Sequence, residues 1–351
     1  MKIWIATGGT GGHIFPAISV AEELVRRHHR VIISSDGRGT PIVKKSKPAR
    51  AGSAFIWASG VGAKSKIQQI VALFKIAVSS FFMTLRFMVF RPARVVAFGG
   101  YSSVPVVFAA KIWKIPTLLH EQNAHIGRAN LFALRWIDTL MTSFPNVKGI
   151  PESKAKIIYT GLPVRREFLI EKEYNQTTNE NRLLVTGGSL GAQIIDEVVP
   201  DAIMNLPMTF RKKLFITQQT RPENVARLQR FYASNGIKAN VVSFINDMAD
   251  ALGGAELIIS RGGASTIAEM QAMGRPAIIV PLGINPDQIA NAEAFAITGG
   301  AIAIEQKKFT AKWLSATLEE LFENLARLKK MADKARIPNK AVENIVKEIL
   351  L

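Results

Sequence analysis

The chain has 351 residues, of which 48% are hydrophobic and none is cysteine, and its formal net charge is +18. This length suffices for about two domains with cores of their own. The lack of cysteine excludes disulfides and thiolate metal sites. So basic a chain is expected to be attracted to a polyanion, either a nucleic acid or an anionic membrane surface.

The first predicted strand ends in a glycine-rich loop. The apolar run from Ile3 to Ala6 leads into Gly8-Gly9-Thr10-Gly11-Gly12-His13, and a helix is predicted from Phe15 to Arg27 with Pro16 in its first turn. Backbone N–H groups and the positive end of the helix then surround an anion site, most simply for a phosphate. The spacing matches neither a P-loop nor the dinucleotide-binding pattern.

Short apolar strands then alternate with helices through the first half of the chain. Strands are predicted at 31–33, 95–98 and 116–119, and the last two lead into Gly99-Gly100-Tyr101 and His120-Glu121-Gln122-Asn123. This alternation predicts βαβ units and a parallel sheet with polar residues at the carboxyl ends of its strands. The glycine pair at 99–100 is equally typical of a tight turn.

The segment 67–90 is rich in phenylalanine and methionine, and no acidic residue occurs between Asp36 and Glu121. Lys75 and Arg86 disfavour a membrane-spanning helix. Buried core helices and a surface that docks on a membrane both remain open. The basic surroundings favour docking on anionic lipid. No nucleic-acid-binding motif stands out, so no nucleic-acid partner is expected.

A polar linker from Pro163 to Asn181 precedes a second half that repeats the first. Residues 186–191 read Thr-Gly-Gly-Ser-Leu-Gly, against Thr-Gly-Gly-Thr-Gly-Gly at 7–12. A later strand runs into Arg261-Gly262-Gly263-Ala264-Ser265-Thr266, followed by a helix that carries Glu269. The sequence predicts an α/β protein with two Rossmann-like parallel-sheet domains that face a central cleft, and a lysine-rich helix from Lys330 to Leu351.

Together these motifs resemble the MurG family of bacterial glycosyltransferases, which add N-acetylglucosamine from UDP-GlcNAc to a lipid-linked muramyl-pentapeptide. The resemblance runs from Ile3 to about Ala301 and rests on six motifs in the family's order. They lie at 8–17, 98–101, 120–123, 187–192, 244–248 and 261–269.

The resemblance implies a GT-B fold, with an N-terminal domain at 1–163, a donor domain at 164–338 and a C-terminal helix, 339–351, that returns to the first domain. It also implies an inverting transfer without a metal or another cofactor. The sequence has no Asp-x-Asp motif of the kind that holds a metal under a nucleotide diphosphate.

The resemblance further implies roles for individual residues. In the donor domain, Ile245 would contact the uracil, Glu269 the ribose, and Ser189 the phosphates. The other donor contacts would come from Arg165, Gln288 and, from the first domain, Thr10, Gly11, Gly12 and Asn123. A second phosphate site is expected at Ala264, Ser265 and Thr266, because they begin a helix behind a glycine pair.

For catalysis, His13 is the candidate general base, with Tyr101 and Glu121 in the same site by family analogy. A histidine at a helix start is also typical of a purely structural cap. The first glycine loop would contact the acceptor's diphosphate, and the segment 67–94 would dock on the membrane. The resemblance thus implies a peripheral protein on the cytoplasmic face of the inner membrane, in peptidoglycan synthesis and so in cell shape and division.

Three stretches depart from the family pattern, namely 34–40, Gln218-Gln219-Thr220-Arg221 and Asn285-Pro286-Asp287-Gln288. They concern the sugar contacts rather than the nucleotide site. Two other functions stay open at this point. One is a glycosyltransferase that uses a UDP-sugar on another lipid or small-molecule acceptor, and the other is a non-catalytic nucleotide-binding protein attached to the membrane.

Overall fold

The computed structural model describes residues 1–58, 65–170, 172–174, 180–188 and 191–351. The chain forms two compact units. Unit 1 comprises Met1–Arg166 and Asn339–Leu351, and unit 2 comprises Glu167–Pro338.

Unit 1 is built on a sheet of seven parallel strands in the order β3-β2-β1-β4-β5-β6-β7. The strands are β1 (Lys2–Thr7), β2 (Arg30–Ser35), β3 (Gly52–Phe55), β4 (Arg94–Phe98), β5 (Thr117–Glu121), β6 (Thr139–Thr142) and β7 (Lys156–Tyr159). Its first five helices are α1 (Gly11–Arg26), α2 (Thr40–Ser46), α3 (Lys66–Phe90), α4 (Val104–Ile112) and α5 (Arg128–Ala133). Residues Ile3 to Ala6 of β1 are all buried, as expected of a parallel strand covered on both faces.

Unit 2 has a sheet of six parallel strands in the order β10-β9-β8-β11-β12-β13. The strands are β8 (Asn181–Thr186), β9 (Leu214–Gln219), β10 (Lys238–Val242), β11 (Leu257–Ser260), β12 (Ala277–Ile279) and β13 (Ala301–Ala303). The helices are α6 (Gln193–Met204), α7 (Met208–Arg211), α8 (Pro222–Ser234), α9 (Met248–Gly254), α10 (Ala264–Met273), α11 (Pro286–Ile297), α12 (Ala311–Glu323) and α13 (Leu325–Ala335). The prediction of two parallel-sheet Rossmann-like domains is confirmed.

The last helix, α14 (Ala341–Leu350), belongs to unit 1, where Ile345, Val346 and Ile349 share a core with α1 and β1. The prediction of one continuous closing helix from Lys330 was wrong. Pro338 lies between α13 and α14 and has no N–H to continue a helix. Asn339 turns the chain just before the N-cap Lys340, because its Oδ1 accepts a hydrogen bond of 3.1 Å from the Ala341 N–H.

The first helix also begins earlier than predicted, at Gly11 rather than Phe15. The Thr10 carbonyl accepts hydrogen bonds from the N–H groups of His13 and Ile14, each at 3.0 Å. Pro16 therefore lies in the second turn and leaves the Gly12 carbonyl without its usual helical donor. The glycine loop and the helix start thus overlap, and His13 stands in the first turn of α1.

Helix α3 is a single helix of 25 residues, of which Ala72, Ser79, Ser80, Met83 and Phe87 are buried. In the described part of the chain it is the one helix long and apolar enough to cross a membrane. One face is fixed to unit 1, since the rings of Phe87 and Trp4 pack edge to face at 5.2 Å and Trp113 Nε1 donates to the Thr84 carbonyl. The prediction of a buried core helix therefore holds for this face only.

Candidate active site

The candidate site of unit 1 lies where the strand order reverses, between β1 and β4. Ligands of doubly wound sheets bind at such points, outside the carboxyl ends of the strands. The two loops here touch through their backbones, because a Cβ built on Gly100 would lie 2.7 Å from the Gly8 Cα. Gly99 and Gly100 also have positive φ angles of 75° and 77°, which favour glycine.

His13 and the polar motif after β5 come together at this edge of the sheet. His13 is half-buried, and its Nδ1 lies 2.9 Å from Oε1 of Gln122. Gln122 is only 2% exposed and follows β5, the neighbour of β4. The structure thus joins the first glycine loop to the 120–123 motif, two features separated by more than 100 residues in sequence.

Glu121 is buried at 1% exposure, and its two carboxylate oxygens hold the turn that follows β5. Oε1 accepts a hydrogen bond of 2.9 Å from the Asn123 N–H. Oε2 accepts from the Gly127 N–H at 2.9 Å and from Nδ2 of Asn130 at 2.7 Å. This carboxylate therefore fixes the position of Asn123 and of the start of α5.

The other unit 1 residues of the predicted site lie at the start of α1, in the loop after β4 and beside α1. Thr10 is the exposed residue before α1, and Gly11 and Gly12 form its first turn, whose N–H groups point out of the helix end. Tyr101 is half-buried and directly follows Gly100. Arg165 also belongs to unit 1, with its guanidinium 5.1 Å from the centre of the Phe15 ring on α1.

Unit 2 repeats this arrangement between β8 and β11. Ser189, predicted at the phosphates, lies outside the described residues. The loop after β11 leads into α10, which begins with Ala264, Ser265 and Thr266. The Ser265 hydroxyl oxygen is buried and makes no hydrogen bond within the described ranges. A buried hydroxyl at a helix N-terminus is suited to an anionic ligand.

Helix α11 packs against the loop that joins β11 to α10. The backbones approach closely, since a Cβ on Gly262 would lie 2.4 Å from the Gln288 carbonyl oxygen. Asn291, only 1% exposed, donates from Nδ2 to the Gly262 carbonyl at 3.0 Å. The Gln288 side chain accepts from the Leu282 N–H at 3.0 Å through Oε1. The predicted residues Gln288 and Ala264 to Thr266 thus lie in adjoining segments.

The remaining donor residues lie at the same edge of the unit 2 sheet. Glu269 is half-buried on α10, and Ile245 is half-buried in the loop between β10 and α9. Arg261 is a further cation here that the sequence analysis gave no role. Its Nη1 donates to the Val280 carbonyl at 3.0 Å and to Oε1 of Gln306 at 2.8 Å, so it braces the loop before α10, and burial lowers its pKa.

Two residues of the departing stretch 218–221 have different surroundings, Gln218 in the interior and Arg221 beside Gly191. Gln218 is fully buried, where it accepts from the Tyr232 hydroxyl at 2.6 Å and donates to Oδ1 of Asp196 at 3.2 Å. Arg221 instead packs on the second glycine loop, because a Cβ on Gly191 would lie 2.6 Å from its Cγ. Gln218 therefore supports the sheet and α8 rather than a ligand.

His120 and Gln122 belong to the 120–123 motif, but the sequence predicted no role for either residue. That both side chains lie on the same face of the sheet as Leu118 was predictable, because alternate residues of a strand share a face. Among the described residues, no group of three or more histidine, aspartate or glutamate side chains could hold a metal ion.

Comparisons with known proteins place these features in a family. Residues 3–142 match the model of the glycosyltransferase family 28 N-terminal domain, and residues 182–349 match that of the C-terminal domain. A UDP-N-acetylglucosamine--N-acetylmuramyl-(pentapeptide) pyrophosphoryl-undecaprenol N-acetylglucosamine transferase of Paramagnetospirillum magneticum is 39% identical over 344 residues, which cover 95% of this chain and 91% of the relative. The chain belongs to the MurG family.

Two further matches agree with this assignment. The transferase of the same name from Novosphingobium aromaticivorans is 39% identical over 357 residues, which cover 98% of this chain and 89% of that protein. The crystal structure of Acinetobacter baumannii MurG is 30% identical, with a TM-score of 0.80 over 100% of this chain and 99% of that one. The predicted MurG membership, GT-B fold and glycosyltransferase class are confirmed.

Proposed function

We propose that this chain transfers N-acetylglucosamine from UDP-GlcNAc to undecaprenyl-pyrophosphoryl-N-acetylmuramyl-pentapeptide, the step from lipid I to lipid II of peptidoglycan synthesis. The observation that carries the proposal is the 39% identity, over 95% of the chain, to a transferase named for this reaction. The site supports it, because two sheet edges present glycine loops and helix N-termini, which suit a substrate pair that carries two diphosphates.

In the proposed reaction, an acceptor sugar hydroxyl attacks the anomeric carbon of the donor from the face opposite UDP. A C–O bond to the acceptor forms as the C–O bond to the β-phosphate breaks, so the configuration inverts. The hydroxyl proton passes to His13, which acts as general base. The negative charge that develops on UDP is stabilised by N–H groups at the start of α10 and by the Ser265 hydroxyl.

The other residues bind and position the substrates. Contacts of Ile245 with the uracil, of Glu269 with the ribose and of Ser189 with the phosphates remain proposals, as do those of Arg165, Gln288 and Thr266 with the donor. Contacts of Thr10, Gly11, Gly12 and Asn123 of unit 1 with the substrates are likewise proposals. We assign Glu121 a positioning role, because backbone and amide donors already occupy both of its oxygens.

Transfer to the lipid fraction tests this function. Purified protein is incubated with radiolabelled UDP-GlcNAc and the lipid-linked acceptor, and the extracted lipid is counted. The proposal predicts label in the lipid that depends on both substrates. Label that reaches a different lipid or a small molecule, and not this acceptor, would contradict the assignment and support the alternative acceptor class.

The second part of the proposal is peripheral docking on the cytoplasmic face of the membrane through the segment 67–94. The outer face of α3 exposes large apolar side chains, namely Ile67, Ile70, Val71, Leu73, Phe74, Phe81, Phe82, Leu85, Met88 and Val89. Lys66, Arg86 and Arg91 are exposed beside them. Aromatic rings flanked by cations suit the headgroup zone of an anionic bilayer.

Sedimentation with liposomes tests the docking. We expect binding to vesicles that contain phosphatidylglycerol, weaker binding to neutral vesicles, and release by salt. The double variant Phe81→Ser/Phe82→Ser should lose binding, since both rings are 62% exposed and contribute no core packing. The matched control is Met208→Ser/Ile297→Ser, which removes exposed apolar groups from unit 2. Equal binding of both variants would contradict docking through α3.

A further inference from the structure

A chain of hydrogen bonds runs from the protein interior to His13. His120 is fully buried, and its Nε2 lies 2.9 Å from the Gly161 carbonyl oxygen. Its Nδ1 lies 3.2 Å from Nε2 of Gln122, and the Oε1 of that amide lies 2.9 Å from Nδ1 of His13. The three side chains thus form one connected path that ends at the candidate base.

The orientation of the Gln122 amide is fixed by its surroundings. Its nitrogen faces two backbone carbonyls, Phe98 at 3.2 Å and His120 at 3.1 Å. A carbonyl can only accept, so the amide group that faces both must be the NH₂. The amide oxygen therefore points to His13, and reversal of the amide would set oxygen against oxygen.

This orientation determines the tautomer of His13. An amide oxygen has no proton to donate, so the His13 nitrogen that faces it must carry the hydrogen. The neutral ring of His13 is consequently the Nδ1–H tautomer, with its lone pair on Nε2. That nitrogen is the one able to accept a proton from a substrate hydroxyl.

The same logic assigns the opposite tautomer to His120. Its Nε2 faces a carbonyl oxygen and must carry the hydrogen, which leaves Nδ1 to accept from Gln122. Burial lowers the pKa of His120 to about 4, so the ring is neutral at pH 7 and can accept through Nδ1. Each hydrogen bond on the path from the Gly161 carbonyl to His13 therefore joins one donor to one acceptor.

We infer that Gln122, anchored by His120 and by the carbonyl of Phe98, is a positioning residue that holds His13 in the Nδ1–H tautomer and thereby presents Nε2 as the base. Its catalytic meaning depends on the proposed function, in which His13 accepts the acceptor proton. The tautomer itself does not depend on that function. The neutral amide orients the ring without adding a negative charge, in contrast to a carboxylate partner.

Nitrogen NMR of the full chain, labelled with ¹⁵N-histidine, tests the inference directly. The chain has five histidines, and the His13 signals are identified by their loss in His13→Gln. Correlations between ring nitrogens and carbon-bound protons distinguish the two tautomers. We expect Nδ1–H for His13 and Nε2–H for His120 in the same spectrum. A neutral His13 with its hydrogen on Nε2 would overturn the inference.

Three variants separate positioning from a general loss of stability. Gln122→Leu should shift His13 toward Nε2–H and lower kcat by about tenfold or more, with the KM for UDP-GlcNAc within about twofold. Gln122→Glu should retain the hydrogen on His13 Nδ1, because either protonation state of that carboxyl group offers an acceptor. It should also lower the free energy of unfolding, because its second oxygen faces the carbonyls of Phe98 and His120. Gln218→Leu, which removes another buried glutamine, should leave the His13 tautomer unchanged.

The outcomes distinguish this inference from the proposed function. An unchanged tautomer in Gln122→Leu would overturn the positioning role even if the protein transfers sugar to the lipid acceptor. The expected tautomers in a protein that labels no lipid would support the hydrogen-bond chain and contradict the proposed function.

Discussion

At the residue scale, the proposed chemistry depends on side chains at the carboxyl ends of β1 and β5. His13 would accept the proton, Gln122 orients it, and Glu121 holds the turn that carries Asn123. These groups meet because β1 and β5 both pair with β4, which brings distant segments of the chain to one edge.

The first prediction concerns His13 itself. Since general base catalysis is worth about 10²-fold to 10⁴-fold, His13→Ala should lower kcat by that factor. Its affinity for UDP should stay within about twofold, because the imidazole is hydrogen-bonded to Gln122 and acts on the acceptor hydroxyl in the proposed reaction. Steady-state kinetics and calorimetric titration with UDP measure the two effects. Near-normal turnover of the variant would remove the role of base.

The second prediction concerns pH and stability. Burial lowers the pKa of His120 from 6.5 to about 4 in the folded chain. Between these values the unfolded chain binds more protons than the folded chain, so the free energy of unfolding decreases as pH falls. For unit 1 we expect a loss of up to about 3 kcal/mol as pH falls from the upper to the lower of these two pKa values.

Urea unfolding followed by tryptophan fluorescence measures this loss. In a Trp313→Phe background the signal comes from Trp4, Trp57, Trp113 and Trp136, all in unit 1. Work above pH 4.5 keeps the effect apart from Glu23, whose pKa lies near 2 because of its bonds to Arg26 and Arg27 and whose contribution is lost only below 4.5. A His120→Asn variant should show a flatter pH dependence, and an equal slope would contradict the assignment.

At the element scale, the two sheets present their functional groups at helix starts. Helices α1 and α10 both begin directly after a glycine-rich loop at the point where the strand order reverses. Such a start offers unpaired N–H groups and a positive partial charge to an anion.

The third prediction concerns the Ser265 hydroxyl at the start of α10 and the affinity for UDP. Its buried hydroxyl has no hydrogen-bond partner in the described segments, so a phosphate oxygen is its expected acceptor. Ser265→Ala should weaken the binding of UDP by about tenfold, the value of one hydrogen bond to a charged group. Ser315→Ala is the control, since that hydroxyl donates to the Lys312 carbonyl within α12 at 3.1 Å. Equal affinities for UDP would argue against a phosphate at Ser265.

Most strands were predictable from sequence, and the helix limits were less so. Runs such as Ile3 to Ala6 and Val95 to Phe98 are apolar throughout because both faces of a parallel strand are covered. The start of α1 was missed because glycine has a low helix propensity, yet Gly11 and Gly12 are helical where the Thr10 carbonyl accepts two N–H groups. The sequence did not decide whether α3 would be buried in the core or exposed, because the pattern of an apolar helix does not show what covers it.

The candidate site was predictable in its parts and not in its internal bonds. The glycine loops and the 120–123 motif follow predicted strands, and so their common location follows from the parallel sheet. The buried duties of Glu121 and Gln122 depend on neighbours such as Asn130 and Phe98, which only the folded chain brings close. Sequence therefore indicated the place of the chemistry but not which side chain orients which.

At the scale of the whole molecule, the chain consists of two doubly wound units, and the last helix returns to the first unit. Ile345 of α14 is fully buried in the same hydrophobic core as Ala17, Ala21 and Leu24 of α1. Because Ile345→Ala leaves a cavity in this core, unit 1 should lose about 2–4 kcal/mol of unfolding free energy. Lys347→Ala, an exposed change on the same helix, should have little effect. Urea unfolding of the Trp313→Phe form measures both, and equal stabilities would contradict the packing of α14 in unit 1.

The proposed transfer requires the whole molecule, and the mass of the lipid acceptor shows whether the transfer takes place. Purified protein is incubated with UDP-GlcNAc and undecaprenyl-pyrophosphoryl-N-acetylmuramyl-pentapeptide. The molecular mass of the lipid is measured by mass spectrometry before and after the incubation. We expect the acceptor to gain the mass of one N-acetylhexosamine residue while UDP is released in equal amount. An acceptor of unchanged mass, with UDP-GlcNAc intact or spent on another molecule, would contradict it.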